Sequence, residues 1–393
     1  MPGRARLVVV AALHVGPLAA CSDGDPVTGG PTVTAAPTSG GSSDSTGSSG
    51  SPESPTPTRG TGSPRVVATL ATGLAVPWGI AFLPDGSAVV TERDSTRVLR
   101  VDPSGPSGPS GKAGEVEEIG AIGEAAPEGE GGLLGVAVSP TYASDALLYF
   151  YLTTAEDNRV VRATYDPAAG LGATEVVLDG IPHGFIHDGG RLAFGPDGYL
   201  YVSTGETGES SLAQDRGSLG GKILRITPDG DPAPGNPDPD SPVWTWGHRN
   251  VQGLAFADDG TLWASEFGDS TWDELNRIEK GNNYGWPEVE GVGDRAEFTD
   301  PQVVWATEDA SPSGLAYLDG HVWMAALRGQ RLWRVDVSTG EATDPRDFFV
   351  GEYGRMRTVV VAPDSRLWVT TSNRDGRGEP AGDDDRILVV DVS

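Results

Sequence analysis

One short pattern returns six times between Arg65 and Ser393, and it constrains the fold more than any other feature of the chain. The copies read Ile80-Ala81-Phe82-Leu83-Pro84-Asp85-Gly86, Val136-Ala137-Val138-Ser139-Pro140, Leu192-Ala193-Phe194-Gly195-Pro196-Asp197-Gly198, Leu254-Ala255-Phe256-Ala257-Asp258-Asp259-Gly260, Leu315-Ala316-Tyr317-Leu318-Asp319-Gly320 and Val360-Val361-Ala362-Pro363-Asp364-Ser365. Each is an apolar strand running into a turn of Asp, Pro and Gly, which is a hairpin signal. A second apolar element follows each copy after a variable loop: Arg97–Val101, Arg159–Arg162, Lys222–Ile226, Leu275–Ile278, Arg331–Val335 and Arg386–Val389. These read as outer strands. One repeat cannot bury both faces of such strands, but neighbouring repeats stacked around an axis can. Three or four strands per repeat, with turns roughly 45 to 62 residues apart, fit propeller blades. The expectation is an all-β, six-bladed β-propeller, with another β-repeat architecture as the alternative. Val66–Leu70 is expected to join the last blade and close the ring, removing an exposed edge.

The segments before the repeats differ in kind. Arg4 and Arg6 precede the apolar run Leu7–Leu13, and small residues lead to Cys21, the layout of an export signal over residues 1–21. Leu18-Ala19-Ala20-Cys21 resembles a bacterial lipobox, which would make Cys21 the lipidated first residue of the mature protein and the chain's sole link to a membrane. A signal-peptidase site with an incidental cysteine is the alternative. Residues 22–64 are Gly, Ser, Thr and Pro with few large apolar side chains, as expected of a flexible tether. The folded domain is expected over 65–393. A net charge of −28 repels nucleic acid and anionic lipid surfaces, which excludes polyanion binding as a function. Lysine occurs only at Lys112, Lys222 and Lys280, so clustered positive charge must come from arginine.

Four places interrupt the repeat with polar residues where propeller loops carry function. His187-Asp188-Gly189-Gly190-Arg191 enters the third repeat, and the His187 imidazole suits a general base, although a lone histidine is as readily structural. Trp246-Gly247-His248-Arg249-Asn250 places a cation and an amide just before an apolar strand, which requires a ligand or an internal hydrogen-bond network. Arg355-Met356-Arg357 puts two guanidiniums on one face of an extended segment, suggesting an anionic ligand, or else pairing with local carboxylates. Arg328 adds a further cation. Glu266-Phe267-Gly268-Asp269-Ser270-Thr271-Trp272-Asp273-Glu274 mixes carboxylates with a glycine turn; oxygen ligands of this kind suit calcium, and a solvated acidic loop is the plain alternative.

Taken in order, these motifs resemble the pyrroloquinoline quinone-dependent soluble aldose and glucose dehydrogenases. The resemblance runs from about Val76 to Val390 and also rests on Glu128-Gly129-Glu130-Gly131-Gly132-Leu133-Leu134-Gly135 and Gly281-Asn282-Asn283-Tyr284-Gly285-Trp286-Pro287. It implies that His187 takes the proton of the anomeric hydroxyl. Arg249 and Asn250 would bind the quinone oxygens and polarise the reacting carbonyl, which makes Arg249 catalytic beside His187, and Arg355 and Arg357, with Arg328, would hold the cofactor carboxylates. Main-chain oxygens of Gly268 and Asp269 would bind the calcium ion beneath the cofactor, with Asp273, Glu274 and Tyr284 at a second calcium site. Glu130 and Gln214 are expected at the substrate mouth. Glu130 stands where glucose-oxidising relatives carry glutamine, Ile186 replaces an acidic residue beside the histidine, and Arg328 replaces a lysine. These departures point away from strict glucose preference. The implied function is oxidation of aldoses to lactones, with electrons passed to an external acceptor. A non-catalytic sugar- or glycan-binding propeller and a calcium-dependent lactonase are the competing readings.

Overall fold

The computed structural model describes residues 33–35, 63–104 and 114–393, all within one compact unit, Pro31–Ser393. The signal-like segment, Cys21 and most of the tether lie outside the described residues. Six antiparallel sheets make six blades. Their innermost strands are Pro77–Phe82, Leu133–Val138, Leu192–Phe194, Val251–Phe256, Pro312–Leu318 and Met356–Val361, and they touch one another in a ring. All six sequence copies form this innermost strand and its hairpin. In four of the hairpins the Asp carboxylate accepts the amide two residues on, as at Asp85 with Ser87 and Asp259 with Thr261, both 2.9 Å.

The second set of apolar elements occupies the third position of each blade, one strand in from the rim. The true rim strands are Glu115–Ala121, Glu175–Ile181, Val243–Trp246, Val303–Ala306, Thr343–Phe348 and Arg65–Ala71. Several are too polar to signal a strand, because only one of their edges is paired and one face meets water. Arg65–Ala71 pairs with Ile387–Asp391 and completes the sixth blade, closing the ring as the sequence predicts. The short strand Val33–Ala35 pairs with Val303–Trp305 on the rim of the fourth blade.

The core lies between blades, not in the channel. Trp263, Trp305 and Trp333 are buried together between the fourth and fifth blades. Each such ring buries on the order of 200 Å², or about 5 kcal/mol. Around the channel the innermost strands of adjacent blades approach backbone to backbone. A Cβ on Gly135 would stand 2.2 Å from Gly190 O, and one on Gly253 would stand 2.4 Å from Ser313 O, so glycine alone lets adjacent innermost strands meet. In five of the six blades the register between the first two strands also shifts at the N-terminal end of the innermost strand, for example between Val251 and Gly253 and between Met356 and Val359. These bulges re-aim side chains at one mouth of the channel, and the polar interruptions of the sequence gather there.

Candidate active site

At that mouth a cavity of about 400 Å³ is lined by six guanidiniums, of Arg93, Arg249, Arg328, Arg355, Arg357 and Arg377, against three carboxylates, Glu130, Asp269 and Asp273. Arg249, Arg328, Arg355 and Arg357, which lie far apart in the chain, are thus brought to one space. Gly268 and Asp269 share it. The positive charge is concentrated, and Arg93, Arg355 and Arg357 are buried. Burial, with Arg93 and Arg355 nearby, depresses the Arg357 guanidinium to about 10 despite Asp375, and burial beside Arg357 depresses Arg191 to about 9. Arg191 lies beneath the cavity floor, over the Trp78 ring, and donates to Gln252 O at 2.8 Å.

Arg249 is held from behind. Glu266 accepts its main-chain amide, and the other Glu266 oxygen meets His248 Nδ1 at 2.8 Å. His248 is fully buried, bonds Thr245 Oγ1 at 2.9 Å and stacks on Tyr284, so it is a structural histidine. The Arg249 guanidinium donates to Gly268 O and to Asp269 Oδ1, while its Nε is buried without a partner. Glu290 shapes that loop: its Oε1 accepts the amides of Asp269, Ser270, Thr271 and Trp272 at 2.8 to 3.1 Å.

His187 stands at the edge of the cavity and is not part of its lining. Glu130 joins the two, accepting the His187 amide at 3.0 Å on Oε2 while lining the cavity itself. The His187 ring is oriented by Glu206, which meets Nδ1. A carboxylate there fixes the proton on Nδ1 and leaves the Nε2 lone pair free to accept another. His187 sits at φ +60°, a left-handed conformation sparsely occupied by residues other than glycine. Asn250 is buried, and its Oδ1 accepts the Gly189 amide at 3.1 Å, stitching the histidine loop to the arginine loop. Gly205 lies between them, where a Cβ would come within 1.8 Å of His187 O.

Several expected partners are not gathered. Asp273 and Glu274 are neighbours in one strand, so their side chains take opposite faces. Asp273 lines the cavity, receives Gly268 N at 2.9 Å and is pushed up to about 7 by burial. Glu274 faces Glu266 across the sheet, takes Asn276 Nδ2 and Gly291 N, and is pushed up to about 8 by burial and by Glu266. The Tyr284 hydroxyl donates to Arg277 O and accepts Glu279 N. These three side chains form no common metal cage. The Gln214 amide bonds Asn283 and Trp286 O and lies outside the cavity lining. The sequence reading missed Glu206, Glu290 and Asp375, and also the cavity arginines Arg93 and Arg377.

Comparison with known proteins places this geometry. The model of the glucose/sorbosone dehydrogenase family matches residues 74–381. The PQQ-bound aldose sugar dehydrogenase of Streptomyces coelicolor superposes with a TM-score of 0.80 at 56% identity, covering 84% of this chain and 97% of that one. The aldose sugar dehydrogenase YliI of Escherichia coli is 28% identical over 76% of this chain and 88% of its own length. The quinoprotein glucose dehydrogenase B of Acinetobacter calcoaceticus is 33% identical over 57% of this chain and 52% of its own. The chain therefore belongs to the glucose/sorbosone dehydrogenase family.

Proposed function

We propose that this chain oxidises the anomeric carbon of aldose sugars with pyrroloquinoline quinone and passes the electrons to an external acceptor. The observation that carries the reading is an arginine-rich cavity joined through Glu130 to a histidine whose tautomer is set by Glu206. The cofactor is a planar tricarboxylate, and the residues fit it. Guanidiniums outnumber carboxylates around the cavity, burial makes the Arg357 charge costly to leave unmatched, and Arg249 Nε is unpartnered. Arg355, Arg357 and Arg328 would hold the carboxylates, with Arg249 at the quinone oxygens; Asn250, buried outside the lining, holds the histidine loop beside it.

For calcium, Gly268 O and the Asp269 carboxylate already serve one cation, the Arg249 guanidinium, so they suit another. Two protein oxygens are fewer than the six to eight that calcium takes, and cofactor and water would supply the rest. No second calcium is assigned to Asp273, Glu274 and Tyr284. When bound, the quinone supplies the hydride acceptor and calcium a Lewis acid beside it. His187 Nε2 takes the proton from the anomeric hydroxyl, and Glu206 stabilises the imidazolium that results. Glu130 keeps spare lone pairs for a sugar hydroxyl. Gln214 orders the Asn283–Trp286 loop.

Reconstituting the apoprotein with pyrroloquinoline quinone and calcium should give dye reduction with aldoses. Cofactor binding without turnover on any sugar would leave a sugar-binding module in place of the enzyme. We also propose export and anchoring at the outer face of the cell membrane through lipid on Cys21. Its support is the signal-like run and lipobox of residues 1–21. Palmitate labelling should vanish in Cys21→Ser, with release from membranes; a variant as membrane-bound as wild type would remove the anchor.

A further inference from the structure

We propose that the turn Asp375-Gly376-Arg377 couples the cofactor clamp to the base loop, with Arg377 the positioning residue that holds Glu130, and through it His187, at the sugar mouth. The inference rests on the functional reading above and deepens it. The Asp375 side chain is 1% exposed, and its Oδ2 takes Arg355 at 2.9 and 3.0 Å and Arg357 Nη2 at 3.4 Å. Its Oδ1 accepts the Arg377 amide at 3.0 Å, the side-chain-to-backbone bond of an Asx turn. Arg377 Nη1 then reaches Glu130 Oε1 at 2.7 Å across 247 residues of sequence, and Glu130 Oε2 accepts the His187 amide. The result is a line of alternating charge that starts on the clamp of the sixth blade and ends on the backbone of the base.

Two features give that line a fixed geometry. A Cβ on Gly378 would fall 2.7 Å from Asn373 O and 2.9 Å from Arg355 Cδ, so the loop lies directly on the clamp. Asn373 is itself fastened, accepting Arg355 N at 2.8 Å and donating to Asp384 at 3.0 Å. Glu130 is largely buried. Burial pushes its carboxyl up, and the His187 amide together with Arg377 outweighs that and holds it below the usual range. Arg377 itself is half exposed, so its bond to Glu130 is the weakest link of the line and the one a substitution can cut without opening the core.

The full-length holoenzyme decides the matter. Arg377→Ala should raise the KM for an aldose about tenfold at saturating quinone, as expected for a lost charge-assisted hydrogen bond. Arg377→Lys should recover most of the loss. Glu130→Gln combined with Arg377→Ala should be no worse than Glu130→Gln alone, since the guanidinium then has no charge to hold. Hydrogen exchange of the His187 amide in the apoprotein should quicken in Arg377→Ala and in Asp375→Asn, and this readout does not depend on turnover. An unchanged KM together with unchanged exchange would overturn the coupling, as would full additivity of the double variant. Failure of the wild type to oxidise any aldose would sink the functional reading, and the exchange rates would still decide the coupling.

Discussion

The two sides of the mouth are built on opposite principles. The arginine side, from the fourth to the sixth blade, holds more positive charge than it neutralises: Arg249 Nε has no partner, and burial depresses Arg357 and, beneath it, Arg191. On the histidine side the base itself is paired: His187 Nδ1 with Glu206, its amide with Glu130, and Asn250 with Gly189. An unsatisfied surface is completed by a ligand, whereas a satisfied one is already set in its working geometry. The difference separates affinity, which belongs to the first side, from chemistry, which belongs to the second.

The sharpest way to break that separation is to cut each side alone. His187→Gln should lower kcat by about 10³ with quinone Kd nearly unchanged, while Arg357→Met should weaken quinone binding by roughly 10 to 100-fold and leave kcat at saturating cofactor within a few-fold. Stopped-flow dye reduction and fluorescence titration of the apoprotein measure the two quantities. If either variant moves both together, the mouth is one unit and the division is wrong.

A smaller effect sharpens the picture of the histidine side. Burial raises Asp188 to about 6 from its ordinary 3.8, and its Oδ2 lacks a partner. Because the folded value lies above the unfolded one, the stability this group allows is intact below about pH 4. It is lost as pH rises to about 6, by on the order of 2–3 kcal/mol. Asp188→Asn keeps the acceptor for Asn158 Nδ2 and Gly184 N and should flatten that part of the profile in urea melts at pH 4 and pH 7. Parallel profiles would show that Asp188 ionises freely in the native state.

Much of this architecture is legible in the sequence, for identifiable reasons. The innermost strands and third strands are mostly buried, so Leu133–Val138 and Lys222–Ile226 stand out as apolar runs. Rim strands such as Glu115–Ala121 and Thr343–Phe348 are largely exposed and broken up by charged residues, and leave no such trace. The same contrast governs the site. Arginines are conspicuous in a chain with three lysines and a charge of −28, and four of those singled out line one cavity. The carboxylates that position the site, Glu206, Glu290 and Asp375, are lost among 56 acidic residues, because no local pattern separates a buried acid from a solvated one. The grouping of Asp273, Glu274 and Tyr284 came from resemblance. The two-residue period of a strand already argues against it, since adjacent residues face opposite ways.

The seam between Arg65–Ala71 and Ile387–Asp391 has a temporal consequence. Its two strands are 326 residues apart at the Arg65–Asp391 contact, so the sixth blade stays incomplete until the last stretch has left the ribosome. At about 5–20 residues per second, that delay is tens of seconds during which Arg65–Ala71 has no partner strand. The ring strand that emerges first is thus the last to be paired, and the fold is finished from both ends of the domain at once.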